Sequence, residues 1–173
     1  SATSELAQPT PLTMDFRERL QRASERGQRA KDADAREAAA KALSDEECRR
    51  LHSTNRLALL DHIEKCLNEL ADNFPGFRVE TLVDNNGWGS VAKRDDVGLA
   101  RGRSDNFFSR VQIVVSPANK YHVLDVVAKG TIRNKEIFSR NLYQQLNEVD
   151  LDRFRELIEQ WVLEYAEMYA ATG

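Results

Sequence analysis

No run of about 18 apolar residues occurs anywhere in the chain, which excludes a membrane-spanning helix of ordinary length. Cysteine is scarce. Two thiols among 173 residues, Cys48 and Cys66, cannot make a disulfide scaffold. Both fall in one predicted helix, where 18 residues correspond to roughly 27 Å of rise, far beyond the reach of a disulfide. Reduced thiols and a cytoplasmic home follow as the simpler reading. The N-terminal SATSELAQPTPLT has neither a basic start nor an apolar core, so no secretory signal is read there. Glycine-rich phosphate loops are missing: there is no G-x-x-x-x-G-K-[ST], and Gly87, Gly89, Gly98 and Gly102 do not compose G-x-G-x-x-G. The G-x-S-x-G elbow of α/β-hydrolases is absent as well.

Three histidines give little material for acid–base chemistry. His122 and Asp125 are three apart, hence on opposite faces of a regular strand. Glu80 and Asp84 share a strand face and could make a pair, but no cleft is in view for them. Cys48, His52, His62 and Cys66 form two i, i+4 pairs, which a turn between Ser53 and Asn55 could gather into a zinc site. The apolar pattern runs on through Leu57, Leu59 and Ile63 without a Gly or Pro, which keeps the pairs about 20 Å apart on one helix. Cys48 and Cys66 lie on the apolar stripe, where cysteine packs as a small hydrophobe. The expectation is therefore no metal, no cofactor and no catalytic set.

What is present divides into three stretches. Residues 1–13 carry Pro9 and Pro11 and no periodic face, and read as a disordered tail. Residues 14–43 read as a charged helical arm, solvated and fraying in the simpler reading and packed on a partner subunit in the sharper one, the narrow alanine seam being a weak coiled-coil signal. Past Phe16 and Leu20 its only apolar residues before Leu43 are alanines, while acids recur four residues ahead of bases (Asp15/Arg19, Glu25/Arg29, Asp32/Arg36), each worth about 0.2–0.5 kcal/mol. Residues 44–173 read as a single α+β domain. Ser44 and Glu47 compose a capping box, opening a helix over 45–73 whose stripe includes Cys48, Leu51, Leu59, Ile63, Leu67 and Leu70. Alternation then predicts about five strands in an antiparallel meander. Asn86-Gly87 is read as a type I′ turn, residues 94–106 as a long charged loop, and Lys129-Gly130 as a further break. Leu151, Phe154, Ile158, Trp161, Tyr165 and Met168 step by three and four along a last helix that Asp150 can cap. The predicted architecture is thus a meander packed with two long amphipathic helices and preceded by the arm.

Charge layout is the remaining signal. Residues 93–140 hold ten Lys or Arg against five Asp or Glu, whereas residues 57–92 hold two against six and 141–173 two against seven. Lys93, Arg94, Arg101, Arg103, Arg110, Lys129, Arg133 and Lys135 are the candidate polyanion-binding residues, with Trp88 and Phe108 as candidate stacking platforms. The same charges can meet the chain's own acids, which needs no partner at all. The leading reading is a non-enzymatic protein-interaction or assembly module that self-associates as a homo-oligomer or takes a protein partner, away from membranes. The alternatives are a nucleic-acid-binding protein using the basic β-region 93–140, and a small-ligand pocket protein or enzyme.

Overall fold

A computed structural model describes residues 15–100 and 103–172, and the side chains of these except at 41–43, 97–100 and 103–105. The expected tail at 1–13 and Arg101 lie outside the described residues, as does the Arg103 side chain. The fold is α+β, with two helices and a five-stranded antiparallel sheet in the order β1-β2-β3-β4-β5. Helix α1 spans Phe16–Asn73, and the strands are β1 Arg78–Asp84, β2 Gly87–Ala100, β3 Arg103–Val115, β4 Val123–Ile132 and β5 Lys135–Gln145. Helix α2 spans Leu151–Thr172. The chain divides into two units, Ser1–Asp45 and Glu46–Gly173.

Four local expectations are corrected. The arm and the helix expected to start at Ser44 are one continuous helix. Neither Gly nor Pro stands between Gly27 and Asn73. Ser44 and Asp45 cost only fractions of a kcal/mol inside a helix flanked by alanines, and propagation through them is easier than a second nucleation. The expected loop at 94–106 is instead the far end of a hairpin. β2 and β3 stay in unbroken register from Trp88↔Val115 to Ala100↔Arg103. β1 pairs with β2 only up to Lys93, and β4 with β3 only from Arg110, so the charged tip is a two-stranded ribbon that needs no apolar face.

The type I′ turn expected between β1 and β2 is found instead between β4 and β5, three hairpins further along the meander. Residues Asn85-Asn86 connect β1 to β2 without a left-handed backbone, and only the following Gly87 has positive φ. The two consecutive left-handed residues that a I′ turn needs are Arg133 (φ 49°) and Asn134 (φ 68°), joining Ile132 to Lys135. Gly130, expected at a break, lies within β4. A Cβ there would stand 2.5 Å from the Phe138 ring and 3.0 Å from Tyr165, so the glycine serves close packing.

The second unit carries the core. Alternation sends Ala92, Val111, Ile113, Val115, Leu124, Val126 and Ala128 to one face of the sheet, where Leu59, Ile63 and Leu67 of α1 and Phe154, Ile158 and Trp161 of α2 cover them. Asp150 caps α2 as expected, its Oδ1 accepting from the amides of Asp152 (3.1 Å) and Arg153 (3.3 Å). Phe74, Phe77, Phe138, Tyr165 and Tyr169 meet edge to face or stacked at centroid distances of 5.0–6.5 Å, and the Tyr165 hydroxyl donates to the Thr131 carbonyl at 2.8 Å. Just before Leu59 the core-facing stripe of α1 rotates: Leu51 is exposed and His52 is buried in its place, its Nε2 2.9 Å from the Ser116 carbonyl.

In the first unit, every described side chain from Asp15 to Ala40 is exposed, Phe16 and Leu20 included. Within it Gln28 bonds the Asp32 carboxylate and Arg36 Nε the Asp32 carbonyl, each across one helical turn.

Candidate functional site

The period of two splits the sequence-predicted residues between the sheet's faces. Trp88 and Arg94 lie on the helix-covered face, at even positions of β2 with Ser90 and Ala92. The Trp88 ring already carries the Arg56 guanidinium at 4.0 Å and has His52 at 6.5 Å, so its stacking surface is occupied from within. Arg94 donates from Nε to Asp96 (2.8 Å) and from a terminal nitrogen to the Pro75 carbonyl (2.9 Å), lying over Gly76, which has φ 110°. It clamps the turn between α1 and β1.

Arg78, Lys93, Arg110 and Thr131 form one cross-strand row on the opposite face. Like charges directly opposite each other repel, and the diagonal neighbours relieve this: Lys93 Nζ stands 3.0 Å from Glu80, and Arg78 3.9 Å from Asp95. Arg140 pairs with Glu164 of α2 at 2.9 Å. The acids that balance the basic strands thus come mainly from the sheet itself. Arg110 keeps a buried Nε with no hydrogen-bond partner among the described residues. Together with half-exposed Phe108, Lys129 and Glu136 it lines a cavity of about 290 Å³. Exposed Arg133 and Lys135 sit apart, at the β4–β5 turn, beside Ile132 and Met168. The structure therefore brings Lys93, Arg110, Lys129 and Phe108 onto one face and separates Arg94, Trp88, Arg133 and Lys135 from it.

The helix pairs read from the sequence behave differently from one another. Cys48 and Cys66 are free thiols packed on the core, and His52 is committed to Ser116. Burial lowers the pKa of His52, helped by Arg56, against the opposing effect of its bond to the Ser116 carbonyl. His62 and Cys66 instead gain a third neighbour that no spacing within α1 could reveal. Glu159 of α2 lies 3.5 Å from His62 Nε2, and Cys66 Sγ lies 3.6 Å from the same nitrogen. Cys66 and Glu159 border a cavity of about 470 Å³ lined otherwise by Leu70, Val162, Leu163, Ala166, Glu69 and Asn73. The thiol is pushed up to about 11 by burial and by the carboxylates of Glu159 and Glu69, against Lys65. Compared with models of known families, with curated proteins and with solved structures, the chain finds no match in any of the three.

Proposed function

We propose that this chain is a non-enzymatic interaction module that associates with a second copy of itself through the arm of α1. The observation that carries the reading is the arm's exposure. The helix begins at Phe16, and every described side chain as far as Ala40 is exposed, Phe16 at 72% and Leu20 at 56%. Phe16, Leu20, Ala23, Gly27 and Ala30 follow one another by four and three, the spacing of a helix-pairing seam. Gly27 is open around its backbone, with nothing near the place of a Cβ. The arm carries seven basic and six acidic side chains between residues 15 and 40. Charge therefore does not oppose pairing with an identical arm, whereas a strongly acidic or basic partner would find no complement. Free Cys48 and Cys66 agree with a reducing, cytoplasmic setting.

Sedimentation equilibrium of the full chain at micromolar concentrations tests this. A dimer is expected that dissociates in the Phe16→Asp/Leu20→Asp variant. A monomer throughout, or a dimer indifferent to that variant, removes the reading.

A second reading, binding of a polyanion on the uncovered sheet face, is favoured by one observation: Arg110, with its unpartnered Nε, stands beside Lys129 and half-exposed Phe108. Glu80, Asp95 and Glu136 on the same face weigh against it.

A further inference from the structure

We propose that His62 and Cys66 of α1 and Glu159 of α2 form a binding site for a divalent transition-metal ion of the zinc class. The three offer the nitrogen, sulfur and oxygen donors that zinc takes, and their ligand atoms all lie within 4.8 Å of one another. Among the described residues they are the group that brings three such donors together. Zinc bonds of about 2.0–2.3 Å in a tetrahedron hold neighbouring donors about 3.3–3.6 Å apart. The His62–Cys66 and His62–Glu159 separations, 3.6 and 3.5 Å, match the edges of that tetrahedron. The latter is longer than a good hydrogen bond between nitrogen and oxygen, about 2.7–3.2 Å.

The ligand types agree with their placement. His62 and Cys66 are i and i+4 on one helix and so share a face, and Glu159 reaches them from the second helix; its exposed side chain must swing toward Cys66 to close the third edge, which lies within 4.8 Å. On binding, Cys66 enters as thiolate and its proton passes to solvent. The thiolate and the Glu159 carboxylate then neutralise a dication, with His62 as a neutral donor. Three protein ligands leave a fourth position for water or a small anion, and Cys66 and Glu159 both border the 470 Å³ cavity where it could stand. The site is independent of the arm and of self-association.

Cobalt(II), a spectroscopic stand-in for zinc, tests the assignment in the full chain. Titration should saturate at one ion per chain, with near-ultraviolet sulfur-to-cobalt absorption and the intense visible bands of four-coordination, and zinc should displace it. Cys66→Ser should abolish the sulfur absorption. Removing even an outer-shell partner costs about 10–100-fold in metal affinity, so Glu159→Gln and His62→Asn should each weaken binding at least tenfold. Glu159 is more than half exposed, so its variant should fold normally and keeps the test decisive where Cys66→Ser unfolds. No sulfur absorption in the folded wild type, its survival in Cys66→Ser, or undiminished affinity in Glu159→Gln overturns the site.

Discussion

The His52 ring is buried, and its pKa lies below the ordinary 6.5 chiefly because desolvation penalises the charged form. The unfolded chain therefore binds a proton near pH 6.5 that the folded chain refuses. Stability is fully present above that pH and is lost as the pH falls toward the folded value, by at most about 1.4 kcal/mol per pH unit for one proton. Urea unfolding between pH 8 and pH 5 should show this slope, and His52→Gln should flatten it. A wild-type slope unchanged in the variant would assign the effect to other groups. Gly130 yields a second expectation at this scale. Ala at this position drives a methyl into the Phe138 and Tyr165 rings, and overpacking of this kind costs about 1–3 kcal/mol. Phe138→Leu in the same chain should recover part of the loss, which a purely conformational effect of the glycine would not allow.

Among the elements, α2 depends on its stripe. Trp161 is 6% exposed between Ile158 and Tyr165, and its replacement by Ala should cost about 3–5 kcal/mol by denaturant titration. A loss below about 1 kcal/mol would mean the indole contributes little to the core. The β4–β5 turn makes a subtler case. Arg133 holds a left-handed backbone that costs a side-chain-bearing residue about 1–2 kcal/mol, so Arg133→Gly should stabilise the hairpin. Asn134→Gly should not, despite the general preference of such turns for glycine. The Asn134 side chain accepts from the Phe108 amide at 2.9 Å and donates to the Asn106 carbonyl at 3.2 Å, tying the turn to β3. Equal gains from both substitutions would show that those two bonds are idle.

For the molecule as a whole, the question is where the basic strands spend their charge. Lys93, Arg78, Arg94 and Arg140 all have carboxylate neighbours. Exposed pairs of this kind are worth about 0–1 kcal/mol each, so added salt should change stability only modestly. Nucleic acid should not be retained at about 0.15 M salt, where binding through phosphates alone is already weak. Binding with a log–log salt slope near −0.9 per phosphate contact, flattened in Arg110→Ala/Lys129→Ala, would reverse the order of the two readings. No helix among the described residues is long and apolar enough to cross a membrane.

Periodicity alone determined the fold class. Steps of three and four along 151–168 and alternation along 107–115 and 123–128 are properties of local backbone geometry, and they are legible wherever one face must be apolar; Tyr121 and His122, read as the start of that strand, precede β4, and His122 has φ 54°. The Asp150 cap is local too, and was readable for that reason. Where the apolar signal is weak, the tertiary structure decided. The ribbon beyond Lys93 and Arg110 mixes charged and polar residues with Val97, Leu99, Phe107 and Phe108, so its pairing follows from the register of the hairpin rather than from a turn signal at either end. The join across Ser44 follows from helix propagation, which a capping signal does not interrupt. Gly130 resembles a turn residue in one dimension and is a packing residue in three, because Phe138 and Tyr165 reach it from β5 and α2. The candidate metal site divides in the same way. The i, i+4 relation of His62 and Cys66 is written in the sequence. Glu159 is 93 residues beyond Cys66, and only the packing of α2 against α1 brings its carboxylate to them.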